Sequence, residues 1–251
     1  MRVRSAGALL GLLFVGACGN PRGGAQPVVV FAAASLMEAF SGLEQAYEER
    51  FSDRDVRLSF AGSHVLRMQV EQGARVDLLA TADLRHLDSL QARGLASPPV
   101  PFAVNRLAVV VNEEGLEHIQ NLEDLLNLDR IVLGSAEVPV GQYARQMLSL
   151  CGDELASGVM GRVVSFEDSA RLVRAKVELG EAQAAVIYQS DLVGSRGIRG
   201  IRIPEHCRVS PVYGISLAQT ARTEAAEDFL ELLRSDVGLE ILRGHGFEEV
   251  P

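Results

Sequence analysis

The chain has 251 residues, three cysteines, no tryptophan and a formal net charge of −9. That length makes one large or two small domains and is ample for a buried core. The acidic balance speaks against nucleic acid or an anionic membrane surface as a partner.

The N-terminus reads as an address. Arg2 and Arg4 precede an apolar run from Ala8 to Val15, too short to span a bilayer as a stable helix. Val15-Gly16-Ala17-Cys18 then has the form of a bacterial lipobox, in which small residues suit the peptidase and the Cys18 thiol takes the lipid; an ordinary cleaved leader with a chance cysteine is the alternative. Residues 1–17 are therefore assigned to a lipoprotein signal and residues 18–27, rich in Gly, Pro and Asn, to a flexible tether. The mature chain is expected to be exported, periplasmic or at the cell surface, held to a membrane by its lipid alone. Without Arg2 and Arg4 it is more acidic still, so an anionic ligand would arrive against the global field, over a screening length of about 8 Å.

From residue 28 onward, strand and helix signals alternate. Val28-Val29-Val30-Phe31 is a short apolar strand that runs through Ala32-Ala33-Ala34 to Ser35, and a helix with an apolar stripe at Leu36, Phe40, Leu43 and Tyr47 follows at once. Val56, Leu58 and Phe60 alternate as in a half-buried strand, followed by a helix over 65–72 that stops at Gly73. Val76 to Ala80 is a strand, and Asp83 caps a helix carrying Leu84, Leu87 and Leu90, closed by Gly94. Ser97-Pro98-Pro99-Val100-Pro101 reads as a rigid break. Further strands are predicted at 107–111, 131–133, 163–164, 184–187 and 209–217, with helices over 141–150, 169–179, 223–234 and 235–243. The alternation implies α/β layers with mostly parallel strands. A late strand near 209–217, far in sequence from its neighbours, suggests a chain that crosses twice between two lobes, assigned as 28–102 with 212–251 and as 103–211. Ligands of open α/β sheets bind at the carboxyl ends of strands, in the cleft such crossings create.

Several strand-to-helix junctions share one chemistry. Ser35 sits where a helix begins, and there backbone N–H groups lack partners and the helix dipole favours negative charge. Small residues before it let an oxyanion approach the backbone. Phe60-Ala61-Gly62-Ser63 repeats the arrangement. Val138-Pro139-Val140-Gly141 enters a helix with Pro early, freeing N–H groups near Val140. Phe166-Glu167-Asp168-Ser169 opens another helix, and Ala184 to Tyr188 ends a buried strand in a phenol. Each has an ordinary reading: Ser35 and Ser63 as capping serines, Pro139 as a helix initiator, Asp168 as an N-cap, Tyr188 as an interior tyrosine. Cys151 and Cys207 form either a disulfide or two partly buried free thiols.

In order along the mature chain, Val30 to Leu36, Phe60 to Ser63, Gln69 to Asp83, Val138 to Ala144 and Ala185 to Asp191 resemble the substrate-binding proteins of bacterial molybdate ABC transporters. The resemblance implies a two-lobed periplasmic-binding-protein fold and no enzymatic activity. It implies Ser35 and Ser63 as hydroxyl donors, backbone N–H donors at Val140 and Ser169, and Tyr188 as the binding tyrosine. Val140 stands where the family commonly has Ala, Ser169 where an apolar residue is usual, and His64 where a small hydroxyl residue is frequent. It further implies molybdate or tungstate as ligand with no cofactor, hinge closure around it, and a membrane permease with its cytosolic ATPase as partner, the binding protein itself being a monomer.

The chemistry is consistent with that. Molybdate at neutral pH carries no proton and only accepts hydrogen bonds, whereas phosphate keeps a proton that a donor-only cleft leaves unmatched, at a cost of about 1–3 kcal/mol. Sulfate and phosphate binding remain the alternatives within the same class. A serine hydrolase built on Ser63 and His64 is the remote one. It lacks a Gly-x-Ser-x-Gly elbow, and the five histidines have no metal spacing. A cytosolic ligand-sensing module of the same fold conflicts with the export signal.

Overall fold

The computed structural model describes residues 26–221 and 223–251. The lipobox, Cys18 and nearly all of the tether lie outside them. Strand β1 (Val28–Ala33) passes through a 3-10 turn, Ala34–Leu36, into α1 (Met37–Arg50); then come β2 (Val56–Ala61), α2 (Ser63–Glu71), β3 (Leu78–Thr81), α3 (Leu84–Ala92) and β4 (Val100–Val104). The chain continues through β5 (Leu107–Asn112), the short α4 (Glu113–Leu116), β6 (Ile131–Gly134), α5 (Pro139–Cys151), α6 (Asp153–Met160), β7 (Val163–Glu167), α7 (Ala170–Glu178), β8 (Ala184–Tyr188) and β9 (Ile198–Ile201). It ends with β10 (Val212–Leu217), α8 (Thr223–Arg234) and α9 (Asp236–Gly244).

These strands make two five-stranded sheets, in the orders β2-β1-β3-β10-β4 and β7-β6-β8-β5-β9. Alternation along β1 feeds two helical layers. Val28, Val30 and Ala32 pack with Phe40, Leu43, Tyr47 and Phe229, whereas Val29 and Phe31 pack with Leu66, Leu79, Leu87 and Leu90. The predicted stripe of the first helix is buried throughout, worth about 1.5–3 kcal/mol for each large apolar side chain removed from water. In the second sheet Val110, Val132 and Ile187 face Val173 and Val177 of α7, while Val109, Leu133 and Val186 face Ala144, Met147 and Leu148 of α5.

The α/β class is as expected, but the sheets are mixed. β1 pairs in parallel with β2 and β3, and β6 with β7 and β8. β10 runs antiparallel to β3 and β4, and β5 antiparallel to β8 and β9. The reason is topological. β5 and β10 are the first strands after a crossing, so each starts at the interlobe side and runs away from it, while β1, β3, β6 and β8 run toward it. The Pro-rich stretch is no break either: β4 begins inside it at Val100, on the edge of its sheet, where Pro101 is tolerated. Sheet membership changes at Asn105-Arg106, beyond the 102/103 boundary read from the sequence, and again between β9 and β10. The two crossings touch, Asn105 N–H donating to the Pro211 carbonyl at 2.9 Å.

Cys151, at the end of α5, is bonded to the fully buried Cys207 in a turn before β10, with Cα atoms 5.0 Å apart and a sequence separation of 56. Closing a loop of that length restricts the unfolded chain by about 4 kcal/mol in the chain-entropy account. Replacing both cysteines by serine is expected to lower the unfolding free energy by about 2–4 kcal/mol in urea titrations, and reductant should shift the wild-type midpoint likewise. Unchanged midpoints in both experiments would contradict the pairing.

Candidate functional site

The ends of β1, β2 and β8 and the starts of α5 and α7 meet between the lobes. Ser35, Ser63, Val140, Ser169 and Tyr188 all line one cavity there, together with Ala33, Gly62, Ala82, Pro139 and Ala170. No lining residue is charged. The cavity is tight, leaving about 20 Å³ in which a water-sized sphere can be centred, on the order of one water.

Each junction has a local reason for its geometry. At β2 the chain leaves through Gly62, the N-cap of α2. A Cβ here would lie 2.5 Å from the Asp168 carbonyl oxygen of the opposite lobe, so only glycine permits this approach. Pro139 is the first residue of α5 and carries no N–H, which makes Val140 the first donor of that helix; the first N–H groups of a helix have no acceptor within it. The Val140 side chain is buried at 2 % exposure. At α7 the N-cap is Ser169 and not Asp168: Ser169 Oγ accepts from the Leu172 N–H at 3.3 Å. The helix starts one residue later than the acidic pair suggested.

Hydrogen-bond direction can be read directly at one of the lobe-one serines. Ser63 is buried, and its Oγ accepts from the Ala82 N–H at 3.2 Å. Its own proton therefore remains for another acceptor. Ser35 Oγ lies 2.8 Å from Tyr213 Oη. Tyr188 is 1 % exposed and its Oη is buried without a hydrogen-bond partner of ordinary geometry. Burial pushes its ionisation well above the ordinary tyrosine value, so it stays a neutral O–H donor. An unmatched buried hydroxyl costs about 1–3 kcal/mol, which a ligand oxygen would remove. His64, beside Ser63, does not line the cavity. Its ring packs against Gly62, and its Nδ1 is buried with no hydrogen bond to Ser63 Oγ or to any other group, so the pairing a hydrolase would need has no support.

The lobes also touch at the rim. Arg171 of α7 pairs with Glu38 of α1 at 2.7 Å, and Arg85, itself paired with Asp83, donates to the Gln142 side chain of α5. Tyr213, Asn105 and Ala82 escaped the sequence reading. A tyrosine inside an apolar strand looks like core, an asparagine after a strand looks like a turn, and a backbone donor leaves no trace in residue type.

Two α/β lobes joined by adjoining crossings, with a donor-lined cavity between them, define a solute-binding protein of the periplasmic type. Residues 28–248 match the model of the bacterial extracellular solute-binding protein family, and the chain belongs to that family. It is 33% identical over 258 residues to the molybdate-binding protein ModA of Mycobacterium tuberculosis H37Rv, covering 97% of each chain. In fold it is similar to the periplasmic molybdate-binding protein of Azotobacter vinelandii (TM-score 0.77, 18% identity, 89% of this chain and 99% of that one). It is equally similar to the sulfate-binding protein SubI of M. tuberculosis (TM-score 0.78, 15% identity, 90% and 88%). The fold by itself thus does not choose between oxyanions.

Asp191 gives the site a pH signature. It is fully buried, accepts from the Tyr188 N–H at 3.2 Å, and steadies the turn that carries that tyrosine. Burial raises its carboxyl to about 7, against the lowering effect of the Tyr188 N–H and Arg174. The folded chain therefore keeps a proton that the unfolded chain releases near its ordinary value of 3.8. Stability falls as pH rises from about 4 to about 7 and levels off above. Asp191→Asn removes this term. Its stability relative to wild type should grow across that window by on the order of a few kcal/mol in unfolding titrations at several pH values. His86, half-buried and pushed down to about 4 by desolvation, contributes equally to both chains and cancels. Parallel profiles would exclude a buried titrating Asp191.

Proposed function

We propose that this protein captures molybdate in the interlobe cavity, accepts tungstate nearly as well, and delivers the anion to the permease of an ABC transporter driven by a cytosolic ATPase. In this reading the chain is exported, cleaved before Cys18 and anchored by a lipid on that residue. Ser35, Ser63 and Tyr188 donate hydroxyl protons, and Val140 and Ser169 donate backbone N–H groups.

The observation that carries the reading is convergence: five residues from five separate chain turns line one cavity free of charged side chains. Such a lining suits an anion that needs donors and offers none. Ser63 has a proton to give because Ala82 already serves its oxygen, and Tyr188 Oη awaits an acceptor. Helix N-termini supply partial positive charge without a counter-ion. Hydrogen phosphate would bury a proton with no acceptor. Sulfate has the same charge as molybdate but shorter bonds, so the donors that reach the larger ion would be stretched around it. The relationship to molybdate-binding relatives over nearly the whole chain supports the same choice.

The test is calorimetric titration of the purified mature chain with molybdate, tungstate, sulfate and phosphate, since the chain has no tryptophan to report closure. Molybdate and tungstate should bind with similar affinity, and sulfate and phosphate at least about a hundredfold more weakly. Ser35→Ala and Tyr188→Phe should each weaken molybdate by about ten- to a hundredfold, the scale of one hydrogen bond to a charged group. Tighter binding of sulfate than of molybdate would reassign the ligand. Heat absent with all four anions would refute the oxyanion reading.

A further inference from the structure

Ser35 Oγ and Tyr213 Oη are 2.8 Å apart, and either could donate to the other. The next residue in the network fixes the direction. Asn105, fully buried in the crossing between β4 and β5, accepts at Oδ1 from the backbone N–H of Arg106 at 2.8 Å and from that of Ser190 at 3.4 Å. Two backbone donors on one side of the amide leave no choice of orientation, because an NH₂ there would face N–H groups. Its Nδ2 must therefore point the other way, where it donates to Ser190 Oγ at 2.9 Å and to Tyr213 Oη at 3.3 Å. Tyr213 is then an acceptor toward Asn105, and its own proton goes to Ser35 Oγ at 2.8 Å, the neighbouring Tyr188 Oη lying outside ordinary hydrogen-bond geometry. Ser35, receiving that proton, turns its own outward.

From this geometry we infer that Asn105 and Tyr213 are positioning residues for anion recognition: a one-way relay, Asn105 N–H to Tyr213 O–H to Ser35 O–H, presents the Ser35 proton to the cavity. The inference rests on the oxyanion-binding reading above. It gives Ser35 the role that the Ala82 N–H gives Ser63, so both lobe-one serines face the ligand as obligate donors. It also ties one ligand contact to the crossing, since Asn105 N–H bonds Pro211 of the second crossing and Ser190 belongs to the other lobe.

A double-mutant cycle on the mature chain, read by molybdate titration, tests it. Tyr213→Phe keeps the ring, packed edge-on against Phe247 and Tyr188, and removes the relayed proton; molybdate affinity should fall about tenfold. In a Ser35→Ala background the same change should cost less than about twofold, because the group it acts through is gone. Asn105→Asp serves if Tyr213→Phe does not fold. It retains the acceptor for the Arg106 N–H but replaces the donor with an acceptor, so Tyr213 turns its proton to the new carboxylate and takes one from Ser35. Its loss should be at least about fivefold larger with Ser35 present than in the Ser35→Ala background, whereas a bare charge effect on the anion would be equal in both. Equal losses in both backgrounds, or wild-type affinity in Tyr213→Phe, would overturn the relay while leaving molybdate binding by the wild type intact. A wild type that binds none of the four anions would instead remove the reading on which the relay rests.

Discussion

A buried anion without a counter-charge imposes one constraint on everything around it: every group that reaches it must donate, and each donor's direction must be settled by the protein before the ligand arrives. A hydroxyl is ambivalent, and a serine facing an anion is useful only if something else occupies its oxygen. Here Ser63 meets the Ala82 N–H and Ser35 meets Tyr213. Backbone N–H groups have no such ambiguity, and helix starts are where they occur without partners. The uncharged lining therefore holds a set of oriented dipoles, which cost little reorganisation when charge enters.

The fold exists in this form because such donors come from segments far apart in sequence. Parallel strands β1, β2, β6 and β8 end on the same side of their sheets, and each delivers a turn to the cleft. The strands after the crossings, β5 and β10, must run the other way, and they lie inside each sheet, not at its edge. That places Tyr213 of β10 beside the end of β1 and places Asn105, one step before β5, next to both. The antiparallel strands are thus the elements that carry the inferred relay, while the parallel ones deliver the cavity-lining turns.

Much of this was legible in the sequence. Helix stripes such as Leu36, Phe40, Leu43 and Tyr47 repeat with a period that only a helix satisfies, and strand-to-helix junctions with small residues and a hydroxyl are local patterns. All five predicted site residues line one cavity for that reason. What was not legible depends on tertiary placement. β9 has glycine at its centre and alternates weakly, so it reads as loop. β4 starts among prolines, which an edge strand tolerates and a sequence rule does not. The cap of α7 fell to Ser169 because the preceding residues finish β7 and its exit before turning. Tyr213 and Asn105 hydrogen-bond to partners 178 and 108 residues away, Ser35 and Tyr213, a separation that no residue pattern within one chain segment records.

The rim contacts explain how a closed cleft can remain reversible. The Glu38–Arg171 pair has side chains about 40 % exposed on each side, and Arg85 is largely exposed where it reaches Gln142. Exposed pairs of this kind contribute about 0–1 kcal/mol each. They can orient the lobes as they meet but cannot hold them shut against the freedom of an open hinge. In the proposed function, what fixes the closed form is then the ligand, by bonding to donors from both lobes at once. An equilibrium is moved only by differential affinity for its two states, and an anion that touches Ser35 and Ser63 on one side and Val140, Ser169 and Tyr188 on the other makes its full set of bonds in the closed state alone. Weak latches and a two-sided site are therefore one requirement: stronger latches would close the empty protein and erase the difference by which a docking partner could tell loaded from unloaded.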